Sequence, residues 1–119
     1  MRITSDLFIS ALTRRIFSAG GYAAIERKGA AEAGAIFIRQ RRRDGRETLF
    51  GPAPQSYFDS ESSGERRFER RVSDSEPEAC AEVIAREMRF DPDLWLVEIE
   101  VDDIGDLFAV ADEAGHLLK

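Results

Sequence analysis

The chain has 119 residues, 43% of them apolar and 34% charged, with a net charge of −6 at neutral pH. That balance describes one globular domain (residues 1–119) with enough interior to fold unaided, and it excludes an intrinsically disordered chain. One cysteine, Cys80, rules out an internal disulfide framework, and no apolar run approaches the roughly 20 residues that a membrane helix needs.

A secreted domain of this size is ordinarily cross-linked, so the reducing cytoplasm is the expected compartment. The opening stretch MRITSDLFISALTRRIF lacks a continuous apolar run and a small-residue cleavage site, and reads as a folded helix instead of a signal peptide. Charge is distributed unevenly. Residues 1–71 hold 14 Arg/Lys against 9 Asp/Glu, a net of +5, whereas residues 72–119 hold 3 against 14, a net of −11. Segments of opposite sign either neutralise each other in the fold or face separate partners.

In chain order, Ser5 is placed to cap a first helix, with Asp6 complementing its positive start. Phe8, Ala11, Leu12 and Ile16 recur at helical spacing, and Gly20–Gly21 ends the element near residue 19. Tyr22–Lys28 and Ala35–Arg43 read as strands across the small-residue loop Gly29–Gly34. Asp44–Gly45 signals a tight primed turn into Arg46–Phe50, so a three-stranded antiparallel meander is expected. Gly51-Pro-Ala-Pro54 must leave the sheet, because each proline removes a ladder donor. Asp59–Gly64 reads as a polar loop, and Arg66–Val72 as a short strand around Phe68.

Ser75-Glu-Pro-Glu78 has the spacing of a capping box. The helix it starts, about residues 76–89, gathers Cys80, Val83, Ile84 and Met88 on one face. Phe90-Asp-Pro-Asp93 stops it, since the residue before proline avoids the α region. Leu94–Val101 is the most apolar strand, with Trp95, Val97, Ile99 and Val101 on one side and Leu94 and Leu96 on the other. A central position is expected. The tail 102–119 is ambiguous, with Leu107–Ala111 readable as strand or helical turn. The expected fold is α+β: a mostly antiparallel sheet of about five strands with two helices packed on one face.

No segment assembles a catalytic site. His116 lies near the chain end, and Cys80 on an apolar helix face reads as a small core residue. One histidine and one cysteine cannot furnish a tetrahedral metal site. Asp102, Asp103 and Asp106 could reach a hard cation through oxygen, but they lack the spacing of an EF-hand loop. GxGxxG is absent, and Gly20–Gly21 ends a helix instead of starting one, so no nucleotide cradle is expected. Neither a metal nor a cofactor is implied.

The arginines exceed background. Arg39, Arg41 and Arg43 alternate along one strand, and Arg70 sits on another with Phe68 and Tyr57 near in sequence. Basic residues interleaved with aromatics can bind single-stranded nucleic acid. The pI near 4.9 weighs against that, because nucleic-acid domains usually lie well above it. A protein partner or self-association is the preferred reading. The rigid GPAPQS loop, with Pro54, Gln55 and Tyr57, supplies a second candidate contact.

The stretches GGYAAIERKGAAEAGAIFIR, LFGPAPQSYFD, ERRFERR and RFDPDLWLVEIE resemble a family of small uncharacterised bacterial proteins, catalogued as a domain of unknown function. The resemblance covers roughly residues 1–101 and implies no activity, substrate or site residue. A non-catalytic interaction or accessory module is therefore the expected function. The alternatives are a nucleic-acid binder, or a small enzyme using Asp/Glu pairs with raised pKa values.

Overall fold

The computed structural model describes residues 3–54 and 66–111, and within them the chain forms two helices and six strands. Helix α1 (Ser5–Ser18) buries Ile9, Leu12 and Ile16. Thr4, one residue before the expected cap, accepts from the Leu7 N–H at 3.4 Å, while Ser5 is drawn inward and donates its hydroxyl to the Gly34 carbonyl at 2.6 Å. The loop 29–34 explains the shift. It presents the Glu32 and Ala31 carbonyls to the amides of Ser5 and Asp6, each at 3.0 Å, so the helix start needs less from a side-chain cap. Ala11, expected on the apolar face, is exposed, and Ile9 takes that role beside half-buried Phe8.

Strands β1 (Tyr22–Arg27), β2 (Ile36–Arg41), β3 (Glu47–Pro52), β4 (Arg67–Ser75), β5 (Trp95–Glu100) and β6 (Ala109–Ala111) form one sheet in the order β1-β5-β2-β3-β4-β6. Pairing is mixed, with β5–β2 and β4–β6 parallel and the rest antiparallel. This corrects the expected five-stranded, mostly antiparallel sheet. It also corrects the meander, because β5 lies between β1 and β2.

The interior position of β5 follows from composition. Leu94 to Val97 is apolar on both faces, and only an interior strand covered on both sides satisfies such a run. The loop 29–34 seats against its start: Ala30 N–H donates to the Asp93 carbonyl at 2.9 Å, and the Trp95 indole N–H to the Ala30 carbonyl at 2.8 Å. Gly29 permits this approach, since a Cβ there would stand 2.2 Å from the Asp93 carbonyl oxygen.

Helix α2 (Pro77–Phe90) buries Cys80 and Ile84 as the spacing predicts. Its start is not a capping box. Ser75 ends β4 and donates to the Glu76 carbonyl at 3.0 Å, leaving no side-chain cap. The two helices pack on opposite faces, not on one. Helix α1 joins Trp95, Val97, Ile99, Ile38, Phe50 and Phe68, whereas α2 joins Phe37, Leu49, Leu94 and Leu96. Alternation along β2, β3 and β5 feeds both clusters, so the sheet is the middle of three layers.

The β2–β3 connection turns at the expected place with different geometry. Gly45 has φ +86°, Asp44 does not share a positive φ, and Gly45 N–H donates to the Arg42 carbonyl at 2.9 Å. A turn closed by a left-handed glycine matches strand twist with one special residue instead of two. The tail question resolves in part: residues 109–111 are strand β6, parallel to β4.

Candidate functional site

The β2–β3 register places Arg41 opposite Glu47 and Arg39 opposite Leu49, and the β2–β5 register places Arg39 opposite Glu98. Side-chain alternation sends Arg39, Arg41, Glu47 and Glu98 to the α2 side of the sheet, beyond Phe37, Leu49 and Leu96. An irregularity in β1 between Ile25 and Arg27 brings Glu26 to the same place.

Together these five groups close a ring of charge. Glu47, whose side chain is 0% exposed, receives Arg39 Nε on one oxygen at 2.7 Å and Arg41 Nη2 on the other at 2.8 Å. Arg39 reaches onward to Glu26 at 3.5 Å and Arg41 to Glu98 at 3.2 Å. Burial pushes the Glu98 carboxyl up from the ordinary glutamate range, and a hydrogen bond shared with Glu26 adds to it, against the pull of Arg41. Three carboxylates and two guanidiniums leave one negative charge on the ring. Arg39 and Arg41 titrate above the ordinary arginine value: burial opposes this for Arg39, and the Glu47 hydrogen bond and charge outweigh it.

The sequence-predicted site residues are dispersed by this arrangement. Arg39 and Arg41 belong to the ring. Arg43 sits at the turn, 94% exposed, and its Nε meets Asp102 at 3.3 Å while its amide donates to the same carboxylate at 3.0 Å. Arg70 lies on the opposite side of the sheet, 5.5 Å over the Phe50 ring. Gly51 and Pro52, expected to leave the sheet, still pair with Glu69 and Phe68 of β4, and Pro54 is exposed just beyond them. Gln55 and Tyr57 lie outside the described residues, as does His116. No single basic face results.

Further pairs cross between the basic and acidic segments. Arg42 and Arg46 hold Asp74 at 2.6 and 3.0 Å and depress its carboxyl. Arg15 meets Asp106 at 3.2 Å, and Arg71 meets Glu87 at 3.6 Å.

Sequence reasoning missed Glu47, Glu26 and Glu98. Glu47 is the acidic residue in an otherwise apolar and neutral strand, ETLFG, and that irregularity was the available signal. Cys80 is fully buried and its thiol is pushed up by burial, the opposite of what a reactive cysteine requires. Among the described residues, no group of three His, Cys, Asp or Glu could hold a metal ion, and no helix is long and apolar enough to cross a membrane.

At the end of the sheet a cleft of about 860 Å³ opens between the C-terminus of α1, the β2–β3 turn and residues 101–107. Its lining carries both signs: Arg41, Arg42 and Arg43 against Glu100, Asp102, Asp103 and Asp106, with Tyr22 at the rim.

No curated protein matches the chain. Solved structures do. A protein of A. tumefaciens, known from a solution structure, is 58% identical over 95% of this chain and 98% of its own, with a TM-score of 0.84. A family protein of Caulobacter crescentus CB15 matches in a crystal structure at 31% identity, 91% and 94% coverage and TM-score 0.73. An NMR structure from the same organism matches at 32% identity, 95% and 98% coverage and TM-score 0.76. A family model described as a protein of unknown function, DUF1491, matches residues 3–109, and the chain belongs to that family.

Proposed function

We propose that this protein is a non-catalytic interaction module of a reducing compartment, and that its partner is a protein segment seated in the mixed-charge cleft. The observation that carries the reading is the cleft lining, three arginines facing four carboxylates around a half-exposed tyrosine. A nucleic-acid backbone would be repelled by Glu100, Asp102, Asp103 and Asp106, whereas a polypeptide can supply both signs. Tyr22 adds an aromatic anchor of the kind enriched at protein interfaces. The internal use of Arg39 and Arg41 supports the same choice, because the residues most suggestive of phosphate binding already have carboxylate partners. Arg43 is proposed as a contact within the cleft, and Arg70, Pro54, Gln55 and Tyr57 as contacts of a second partner surface that does not depend on it.

Cross-linking capture in the native host tests this with two variants. A partner held by the wild type should be lost on Arg43→Glu and kept on Arg70→Ser. Equal capture by both variants, or salt-dependent binding of a labelled single-stranded oligonucleotide by the wild type, would contradict it.

A further inference from the structure

Strand β1 is one edge of the sheet, and among the described residues no strand lies beyond it. An unpaired edge offers a row of N–H and C=O groups to another chain, and folded proteins usually guard such rows with charge or a bulge. Here the guard covers one end only. The irregularity falls between Ile25 and Arg27, and the charges Glu26, Arg27 and Lys28 cluster with it. The other end, Tyr22–Ile25, carries none. Tyr22 is 48% and Ile25 50% exposed, and Phe17 from α1, 53% exposed, sets its ring edge-on to Tyr22 at 5.9 Å. Half-exposed apolar groups thus gather beside an unguarded strand edge.

The edge is also electrically polar along its length. Its start adjoins the C-terminal end of α1, capped at Ala19, where the cation of Arg15 is taken up by Asp106 at 3.2 Å, and Tyr22 lies opposite Glu100 in the ladder. Its finish carries Arg27 and Lys28, with the charge of Glu26 taken up by Arg39 at 3.5 Å. A strand that is negative at one end and positive at the other is matched by itself run in the opposite direction. We infer that a second copy of this chain pairs with β1 in an antiparallel, two-fold arrangement centred on Ala24, joining two sheets edge to edge.

In that register Ala24 faces its own equivalent and Ile25 faces the partner's Ala23 on the α1 side. Beyond Ile25 the irregularity interrupts the ladder, Arg27 stays on the Pro92 carbonyl at 2.6 Å, and Lys28 is left near the negative end of the partner's α1, where cations are favoured. Arg27 and Lys28 of the two copies stand at opposite ends of the ladder, so these cations do not meet each other. Keeping both α1 helices on one side of the joined sheet requires a register centred on a residue, because facing side chains must then point to the same side. An isologous contact of this kind closes after two copies and does not propagate. The paired strands are short, so the dimer belongs to the small-interface class with a Kd between about 1 μM and 1 mM.

Sedimentation velocity over a concentration series tests the inference on wild type, Ile25→Lys, Lys28→Glu and Arg43→Glu. Ile25 is half exposed, so a lysine there is tolerated by the fold, and thermal unfolding of each variant confirms it. The wild type should pass from monomer to dimer, with Ile25→Lys raising Kd at least about tenfold and Lys28→Glu about threefold. Arg43→Glu, in the cleft, should leave Kd unchanged, so that loss of the cleft partner and loss of the dimer are separate results. Amides of residues 23–25 should gain exchange protection as concentration rises. A wild type still monomeric at about 1 mM, or dimers of Ile25→Lys as tight as wild type, would overturn it.

Discussion

Replacing Glu47 by glutamine keeps the shape of the side chain and removes the charge on which Arg39 and Arg41 converge. Both carboxylate oxygens are engaged, at 2.7 Å by Arg39 and 2.8 Å by Arg41, and the side chain is fully enclosed. A glutamine retains one acceptor oxygen and turns an NH₂ group toward a guanidinium, so one bond is lost and two donors oppose each other. Hydrogen bonds to charged groups contribute about 1.5–3 kcal/mol each, and breaking a wholly buried pair costs about 3–5 kcal/mol. The arginines are not wholly buried. Arg39 is 16% and Arg41 40% exposed, so water recovers part of the loss. The expected destabilisation is about 2–4 kcal/mol, on the order of 10 °C in Tm for a domain of this size. Urea and thermal unfolding measure it, with Glu69→Gln as the control. Glu69 pairs with Arg71 from a side chain 33% exposed, and its loss should cost no more than about 1 kcal/mol. A Glu47→Gln variant within about 1 kcal/mol of wild type would refute the claim that Glu47 anchors the ring.

Glu98 has its folded pKa raised above the unfolded value, so the folded state holds extra proton in that window. Stability from this group is complete below the unfolded glutamate pKa, near 4.3, and is lost as pH rises through the folded value. Glu98→Gln should therefore gain on wild type between acid and neutral pH, as unfolding midpoints at several pH values would show. If the difference stays constant with pH, burial does not raise the Glu98 carboxyl. Trp95→Ala should cost about 3–5 kcal/mol, because Trp95 is 2% exposed and fills the α1-side core, and Trp95→Phe about 1 kcal/mol for the lost Ala30 bond. Gly29→Ala should cost about 3 kcal/mol or more, since its Cβ collides with the Asp93 carbonyl in backbone that cannot yield cheaply. Cys80, fully buried, should react with a thiol reagent only at the rate of unfolding.

Local chemistry was legible and long-range pairing was not. The apolar periodicity of α1 and α2, the Asp44–Gly45 turn and the row headed by Trp95 follow from spacing that neighbouring residues decide. The place of β5 depends on which distant strand covers it, and nothing within Leu94–Val101 says that β1 and β2 part to admit it. The same gap hid the site. Arg39 and Arg41 read as a basic strand face because Glu98 is 59 and 57 positions away and Glu47 sits past a turn. Once β5 enters between β1 and β2, the alternation of each strand places all five groups on one side. The helices were assigned to a single face for a related reason: a strand apolar on both sides needs two covering layers, and the sequence of Leu94 to Val97 already contained that requirement.

The most direct test of the internal ring is the ¹⁵N spectrum of the arginine Nε–H groups in wild type and Glu47→Gln. Pairing with a buried carboxylate predicts slowly exchanging Nε–H signals for Arg39 and Arg41 that persist at about 1 M salt, where exposed charges are screened beyond about 3 Å. They should vanish into solvent exchange in Glu47→Gln, while exposed Arg43 exchanges rapidly in both proteins. If Arg39 and Arg41 exchange as fast as Arg43 in the wild type, the two arginines face solvent, the ring does not form, and β2 presents a basic surface instead.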